Sequence, residues 1–215
     1  MPLRILVVDD HAVVRRGVRS LLESHEGWEV CGEATTGRDA VEQSRRLRPD
    51  VVVMDLSLPE LNGLDATRQI LKVTPDTEVL VLTMHHSEQL ARDVLQAGAR
   101  GYVLKSDADE NLIAAVDSLR QHKPFLTSTV TEFVLDDYVR RGNGQDDLVR
   151  VVVTAREREI IQLVAEGQSN KEAASTLGIS QKTVEAHRAN IMRKLHLRSA
   201  SDLVRYAIRN KIVQP

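Results

Sequence analysis

The sequence predicts an α/β domain built on a five-stranded parallel sheet, followed by a smaller domain made only of helices. Residues 1–122 alternate short β-branched runs with longer stretches of helical period, which is typical of a parallel sheet wrapped by helices. These residues carry 14 Lys and Arg against 20 Asp and Glu, whereas residues 148–215 carry 12 against 6. An acidic part joined to a basic part indicates that only the second part meets a polyanion, so nucleic acid is expected at the basic end.

Each predicted strand is a short run rich in β-branched and other apolar residues, and each is followed by a stretch long enough for a helix. The strands are expected at residues 3–8, 28–34, 51–54, 78–83 and 101–104. Apolar and small residues between and after the strands recur at helical spacing, in the stripes Val14, Val18, Leu21 and Leu22; Ala40, Val41, Ser44 and Leu47; Leu90, Val94 and Leu95; and Leu112, Ile113, Val116 and Leu119. The fifth helix is expected to begin near Asp107, with Glu110 completing a capping box. Five βα units therefore account for this part of the chain.

A linker with one further amphipathic helix is predicted between the two domains. Residues 128–141 place their apolar side chains on one side of a helix, and GNGQDD at residues 142–147 has the composition of a flexible break. We therefore expect a first domain at residues 1–122, a linker at 123–150 and a second domain at 151–215.

The second domain is predicted to contain four helices with recognisable start signals. The expected N-caps are Thr154 and Ser169, each in a capping box with Glu157 and Glu172 respectively, then Ser180, and finally Ser199 or Ser201. The second and third helices are separated by LGIS at residues 177–180, a short turn that contains Gly178. A short helix, a glycine-containing turn and a longer helix form the helix-turn-helix arrangement.

The sequence also bears on where the protein is expected to act. A single cysteine, Cys31, permits no internal disulfide. The N-terminus MPLRILVVDD has neither the basic leader nor the apolar core of a signal peptide, and no apolar run approaches the length of a membrane span. We therefore expect a soluble cytoplasmic protein with no membrane partner.

Polar residues follow or end four of the predicted strands, all at one edge of the sheet. With the strand order 2-1-3-4-5, ligands bind between the first and third strands, beyond their carboxyl ends. Asp9 and Asp10 follow the first strand and Asp55 follows the third, and three converging carboxylates repel one another unless a cation such as Mg²⁺ lies among them. Thr83 ends the fourth strand and Lys105 follows the fifth. A carboxylate nucleophile, a hard metal, a hydroxyl and an ammonium group together indicate a phosphoryl-transfer site.

The motifs IxxVDDH, MDLxLP followed by ELNG, LT, and GARGYVLK resemble the flavodoxin-like (βα)5 receiver domain of bacterial two-component response regulators, over residues 1–122. The resemblance implies that Asp55 accepts a phosphoryl group from a sensor histidine kinase. It also implies that Mg²⁺ is held by Asp10, Asp55 and the backbone carbonyl of Ser57, with Asp9 acting through water.

Three further receiver residues match positions of this chain. By the resemblance, Thr83 would bond the phosphoryl oxygen, Tyr102 would turn inward behind it, and Lys105 would pair with the phosphate. The sequence departs from the common receiver pattern at Leu58, where many receivers have Met, and at Ser106, where many have Pro.

The segment TAREREIIQLVAEGQSNKEAASTLGISQKTVEAHRANIMRKLHLRS resembles the helix-turn-helix domain of LuxR-type regulators, and the two halves together resemble the NarL/FixJ family. Val184, His187, Ile191 and Leu195 fall on one stripe of the third helix and are expected to face its neighbours. The opposite side is expected to meet double-stranded DNA through phosphate and base contacts. The residues predicted to make those contacts are Lys182, Thr183, Glu185, Ala186, Arg188, Ala189 and Arg193.

The last helix is expected to expose an apolar stripe, part of which would pad the small core. The stripe consists of Leu203, Val204, Ala207 and Ile208. In the family the same helix pairs two subunits, so a homodimer formed on activation would read inverted half-sites about one DNA turn apart.

Three functions remain open at this stage. The first is a transcription factor in which phosphorylation of Asp55 controls dimerisation and DNA binding, with no catalytic turnover beyond its own phosphorylation and slow dephosphorylation. The second is a dehalogenase-type phosphatase, but Ser57 occupies the position where such enzymes need a second Asp. The third is a phosphorylation-independent regulator whose receiver serves only as a dimerisation module, against which the complete set of pocket residues argues. A Rossmann nucleotide-binding domain is excluded because no glycine-rich loop follows the first strand.

Overall fold

The computed structural model describes residues 2–84, 87–127, 131 and 153–213. The chain divides into two compact units, the first formed by residues 1–58 and 63–146 and the second by residues 59–62 and 147–215. The amphipathic helix predicted at residues 128–141 lies outside the described residues, apart from residue 131.

The first unit contains the predicted parallel sheet. Its strands are β1 (Leu3–Val8), β2 (Trp28–Ala34), β3 (Val51–Met54), β4 (Glu78–Thr83) and β5 (Gly101–Leu104). All five strands have the predicted bounds. A short strand that the sequence did not indicate, β6 (Phe125–Leu126), pairs with β5. The order is β2-β1-β3-β4-β5-β6 and every pair is parallel, which confirms the predicted fold class.

Helices connect successive strands on both faces of the sheet. They are α1 (Ala12–Glu23), α2 (Gly37–Leu47), α3 (Gly63–Val73), α4 (Glu88–Gln96) and α5 (Ala108–Arg120). The capping box predicted at Asp107 and Glu110 was wrong, because a 3₁₀ turn over residues 105–107 leads directly into α5 and the Asp107 side chain makes no cap bond. That side chain accepts a hydrogen bond from Ser106 Oγ at 2.7 Å instead.

The sheet is buried between the helices, as expected of strands that are apolar on both faces. Ile5, Val53 and Leu80 have at most 1% of their surface exposed, and Leu112 and Leu119 of α5 pack against the same side. Strand registers pair Val8 with Met54 and Thr83 with Leu104, so the carboxyl ends of β1, β3, β4 and β5 lie at one edge. The residues that follow these strands therefore meet there.

Among the described residues of the second unit, all regular secondary structure is helical. Its helices are α6 (Ala155–Ala165), α7 (Asn170–Leu177), α8 (Gln181–Lys194) and α9 (Ala200–Arg209). The predicted starts are confirmed: α6 and α7 begin with capping boxes at Thr154 and Ser169, α8 is capped by Ser180, and α9 by Ser199 rather than Ser201. Gly178 ends α7 with φ +63°, which is the left-handed conformation that the predicted turn requires.

The core of this unit includes apolar side chains from all four helices, among them Ile160, Leu177, Val184, Ile191 and Leu203. Leu203 and Ala207 lie four positions apart on the face of α9 that packs into this core, so they are the part of the predicted stripe that pads the core, and the exposure predicted for these two residues was wrong. Val204 and Ile208 are partly exposed, and pairing of two chains through this helix stays a prediction. Among the described residues, none of the helices combines the length and apolarity needed to cross a membrane.

Candidate functional site

Two buried carboxylates and one lysine meet at the carboxyl edge of the sheet. Lys105 Nζ lies 2.7 Å from Asp9 Oδ2 and 2.9 Å from Asp55 Oδ2. Asp9 and Asp55 are each 2% exposed, and they are brought together because the Asp55 N–H donates to the carbonyl of Val8, at 2.9 Å. The one ammonium group therefore faces two acids, so the cluster has excess negative charge while both are ionised.

Backbone hydrogen bonds orient both carboxylates. The Leu56 N–H donates to Asp55 Oδ1 at 2.8 Å, and the His11 N–H donates to Asp9 Oδ1 at 2.8 Å. Burial raises the pKa of Asp55 even though Lys105 and the Leu56 amide act in the opposite direction. Burial lowers the pKa of Lys105, but its hydrogen bond to Asp9 and the charge of Asp55 outweigh that effect and leave the pKa raised. Lys105 is therefore charged across the physiological range.

A third carboxylate and an imidazole complete a group of four possible metal ligands. Asp9, Asp10, His11 and Asp55 each offer a donor atom, and these atoms all lie within 4.8 Å of one another. His11 Nδ1 lies 2.7 Å from Asp10 Oδ1 and 3.5 Å from Asp9 Oδ1. Asp10 and His11 face solvent, whereas Asp55 Oδ2 is buried and makes no hydrogen bond of regular geometry with a described residue, despite its ion pair with Lys105.

These residues fit a divalent cation. Oxygen donors from three carboxylates suit Mg²⁺, and the exposed side of the site leaves room for the waters that Mg²⁺ retains. A cation there would offset the excess negative charge and satisfy Asp55 Oδ2. Ser57 lies two residues after Asp55 in the loop and is half-buried, so its carbonyl belongs to the same loop as the candidate nucleophile.

Thr83 and Tyr102 lie on the strands beside the site. Thr83 is fully buried at the end of β4, and it pairs in register with Leu104, the residue before Lys105. Tyr102 is 1% exposed, and burial raises the pKa of its hydroxyl to about 12. Tyr102 therefore already occupies an inward position in this structure.

Gly63 supports the loop that carries Asp55. It is the first residue of α3, and its N–H donates to the carbonyl of Leu56 at 3.0 Å. A Cβ at this position would lie 2.0 Å from the carbonyl oxygen of Asp55 and 2.8 Å from Leu56 Cα. Only glycine lets α3 begin this close to the loop. The sequence motif ELNG includes this glycine, but the motif alone does not show why glycine is needed there.

Sequence reasoning also missed a network behind Asp9. Arg15 donates from Nη1 to the carbonyl of Asp9 at 2.9 Å, and its Nε contacts Glu33 Oε2 at 2.8 Å. The hydrogen bond from Arg19, together with Arg15, holds the pKa of Glu33 below its usual range although partial burial opposes the shift. This network ties α1 and β2 to the end of β1. The available signal was the i, i+4 pair Arg15 and Arg19, with Glu33 on the following strand. Such arginine pairs are common on solvated helix surfaces, so the signal is weak.

Helix α8 presents most of its predicted DNA-contact residues to solvent. Val184 and Ile191 are buried, and His187 and Leu195 are partly buried, so the predicted packing stripe is confirmed. Arg188 is only partly exposed and its Nη1 donates to Asn170 Oδ1 of α7, while Arg193 Nη2 donates to Asn190 Oδ1 at 2.7 Å. The predicted contact residues that are exposed are Lys182, Thr183, Glu185, Ala186, Ala189 and Arg193.

Comparison with known proteins gives family matches to both units. Residues 5–117 match the model of the response regulator receiver domain, and residues 151–207 match the model of bacterial regulatory proteins of the luxR family. The oxygen regulatory protein NreC of Staphylococcus carnosus is 39% identical over 98% of this chain and 99% of its own length.

Two solved structures of the regulator RcsB are also similar. One contains two RcsB dimers bound to two parallel DNAs, with 27% identity, a TM-score of 0.60, and coverage of 96% of this chain and 98% of that one. The other is the isolated receiver domain of RcsB from Salmonella enterica serovar Typhimurium in the presence of the phosphomimetic beryllofluoride. It is 28% identical, with a TM-score of 0.58 and coverage of 62% of this chain and 99% of that one.

Proposed function

Because the chain belongs to the NarL-type response regulators, which join a receiver domain to a LuxR-type DNA-binding domain, we propose that a sensor histidine kinase phosphorylates it on Asp55. Phosphorylation then controls dimerisation and the transcription of target genes. The observation that carries this proposal is the buried Asp55 carboxylate beside Lys105 and Asp9 at the edge where this fold binds ligands. Contact with both the kinase and DNA implies action in the cytoplasm.

The chemistry assigned to the site is transfer of one phosphoryl group. An oxygen of Asp55 bonds to phosphorus as the P–N bond to the kinase histidine breaks, and the imidazole keeps that bonding pair and takes up a proton. Asp10, Asp55 and the Ser57 carbonyl would hold Mg²⁺, with Asp9 acting through water, and the bound ion would supply positive charge that neutralises the transferring group. Lys105 leaves its contact with the Asp55 carboxylate and pairs with a phosphoryl oxygen. The positive charge of Lys105 therefore remains compensated by a negative group.

The proposal assigns two residues of the pocket to report the modification. Thr83 is buried at the end of β4, and we assign its hydroxyl as the donor to a phosphoryl oxygen on Asp55. Movement of Thr83 leaves space behind it that Tyr102 fills, and the buried state of Tyr102 fits the end point of that movement. In this proposal β4 and β5 pack in two alternative ways, and phosphorylation of Asp55 shifts the population between them.

Sedimentation velocity with beryllofluoride tests this proposal. Beryllofluoride mimics the aspartyl phosphate without turning over. In Mg²⁺, the wild-type chain at micromolar concentration is expected to change from monomer to dimer when beryllofluoride is added, and Asp55→Ala is expected to stay monomeric. The RcsB structure with beryllofluoride and the one with dimers on DNA support this expectation. An oligomeric state that ignores beryllofluoride would instead favour the phosphorylation-independent regulator.

We further propose that the chain is not a turnover phosphatase. Ser57 stands where a dehalogenase-type phosphatase needs an aspartate to protonate its leaving group, and serine cannot serve as an acid at neutral pH. Incubation with acetyl phosphate is therefore expected to yield at most one acyl phosphate per chain, followed by slow loss. Rapid, sustained hydrolysis of a generic phosphomonoester would contradict this assignment.

The proposed DNA contacts lead to a prediction for Arg193. Arg193→Ala is expected to weaken binding to a short duplex DNA severalfold and to reduce the slope of log affinity against log salt by about 1, because one phosphate contact is lost. Fluorescence anisotropy with beryllofluoride-activated protein measures both quantities. Arg209→Ala in α9 is the matched control, since Arg209 is also exposed but lies outside α8. Equal losses in the two variants would remove Arg193 from the interface.

A further inference from the structure

The imidazole of His11 is directed at the carboxylates of the pocket. His11 occupies the N-cap position of α1, yet its side chain makes no capping hydrogen bond. Its Nδ1 instead lies 2.7 Å from Asp10 Oδ1 and 3.5 Å from Asp9 Oδ1. The side chain is 66% exposed, so burial does not force it into this position.

The spacing of these atoms matches donors around one metal ion. Neighbouring ligands of an octahedral ion bonded at about 2.1 Å lie roughly 3 Å apart, and opposite ligands roughly 4.2 Å apart. His11 Nδ1 lies 2.7 Å from Asp10 Oδ1 and 3.5 Å from Asp9 Oδ1, which is close to the spacing of neighbouring ligands. All four donor atoms of the group lie within 4.8 Å of one another. The buried Asp55 Oδ2 belongs to the same group; Lys105 Nζ lies 2.9 Å from it, but it makes no hydrogen bond of regular geometry with a described residue.

An imidazole changes which ions such a site prefers. Mg²⁺ takes oxygen ligands and retains water, whereas imidazole is a good ligand for borderline ions such as Co²⁺, Ni²⁺ and Zn²⁺. An Mg²⁺ ion would therefore be bound by the carboxylates and leave His11 outside its ligand shell. A borderline ion at the same place would gain a nitrogen ligand from His11.

We propose that His11 Nδ1 is a metal ligand, and that the pocket therefore binds borderline divalent transition metals as well as Mg²⁺. This inference rests on the proposed function only because both assign the cation to the same carboxylates. The residue that follows Asp10 would then influence which divalent ion the pocket binds. A transition-metal ion bound through four protein ligands would occupy the position that the proposed phosphorylation assigns to Mg²⁺.

Metal titration of the full chain without any phosphodonor tests the proposal. Isothermal titration calorimetry with Co²⁺, Ni²⁺ and Mg²⁺ is run on wild type and His11→Ala. The dissociation constants for Co²⁺ and Ni²⁺ are expected to rise about tenfold or more, and that for Mg²⁺ to stay within about threefold. The visible absorption spectrum of bound Co²⁺ is expected to change as the nitrogen ligand is lost.

Two further variants separate a ligand from a hydrogen-bonding partner. His11→Asn places an amide nitrogen near the position of Nδ1 and can still donate to Asp10, but it is a poor metal ligand. It should therefore behave like His11→Ala. His25→Ala, which removes another exposed histidine of the same unit, controls for adventitious binding and is expected to leave all three constants unchanged.

The outcomes are distinguishable. Selective weakening of Co²⁺ and Ni²⁺ in both His11 variants supports the proposal. Equal weakening of all three metals, restoration by Asn, or no change would overturn it, because His11 would then act only on Asp10 or not at all. Wild-type sedimentation in Mg²⁺ and beryllofluoride decides the proposed phosphorylation independently, since it does not involve the His11 variants or a transition metal.

Discussion

Replacing Lys105 by Met is expected to lower the free energy of unfolding of the receiver unit by about 3–5 kcal/mol at pH 7 without divalent cations. Lys105 is the ammonium group within 3 Å of both Asp9 and Asp55, and each of these carboxylates is 2% exposed. Methionine has a similar length and keeps the apolar contacts of the lysine stem. The loss of stability therefore measures the contribution of the Lys105 charge, because two buried carboxylates are left without a compensating cation.

The variant should also change how stability depends on pH. Burial already raises the pKa of Asp55 above its ordinary value of 3.8, and Lys105 opposes that shift. Removing Lys105 raises the pKa further, so the native state of the variant binds more protons than the unfolded chain between pH 3.8 and the raised folded pKa. Stability is then lost as pH rises through that window and is recovered as pH falls through it. The stability of the wild type should also fall as pH rises through this window, but by a smaller amount.

Tryptophan fluorescence during urea unfolding measures this effect in the full chain. The single tryptophan, Trp28, lies in β2 and packs against the core of the receiver unit, so its signal follows that unit alone. Lys72→Met, at an exposed lysine of α3, is the matched control and is expected to be nearly neutral. Adding Mg²⁺ should restore part of the stability lost in Lys105→Met.

A double-mutant cycle gives the decisive comparison. Asp55→Asn removes one of the charges that Lys105 compensates, so Lys105→Met is expected to cost less in that background than in the wild type. Additive losses, or a neutral Lys105→Met with an unchanged pH profile, would mean that the pocket is solvated well enough to tolerate both carboxylates.

The sheet and the charged pocket were predictable from the sequence because both follow from local pattern. β-Branched runs such as VVVM at residues 51–54 have few alternatives to a buried strand, and all five predicted strands have the observed bounds. Once the strand order is assumed, the residues after each strand must lie at one edge, so the meeting of Asp9, Asp55 and Lys105 follows from topology. The two-residue strand β6 carries too little pattern to be recognised.

Local pattern failed where neighbouring structure decides the outcome. Asp107 and Glu110 have the spacing of a capping box, but the chain leaving β5 enters α5 through a 3₁₀ turn, and the Asp107 side chain bonds Ser106 instead. Leu203 and Ala207 looked available for a partner subunit because α9 is amphipathic. Their burial depends on how α9 packs in the core shared by the four helices, which helical period alone does not specify.

The residues that sequence reasoning missed act through contacts that the local sequence pattern does not specify. Arg15 reaches the carbonyl of Asp9 while it is held by Glu33, which is 18 residues away. His11 looks like a loop histidine until its distance to Asp10 is measured. Gly63 is one of eleven glycines in the sequence, and only the position of the Asp55 carbonyl reveals why it matters.

Replacing Gly63 by Ala is expected to destabilise the receiver unit by at least about 3 kcal/mol, the upper end of overpacking costs. The added Cβ would lie 2.0 Å from the Asp55 carbonyl oxygen, and its three nearest neighbours are all backbone atoms of Asp55 and Leu56, so no flexible side chain could move out of its way. The start of α3 must therefore shift from the Asp55 loop, breaking the Gly63-to-Leu56 hydrogen bond. In molecules that still fold, the displaced loop should also impair phosphoryl uptake at Asp55.

Gly17→Ala is the matched control for Gly63→Ala, because Gly17 lies inside α1 and a Cβ there would meet nothing within 4 Å. This control should stabilise the unit by about 0.5–1 kcal/mol, since alanine favours the helix more than glycine. Urea unfolding followed by Trp28 fluorescence gives both values, and acetyl phosphate labelling in Mg²⁺ measures the uptake. If the two alanine variants proved equally stable and equally phosphorylated, α3 would have room to move, and the close approach at Gly63 would not be what fixes the phosphoacceptor loop.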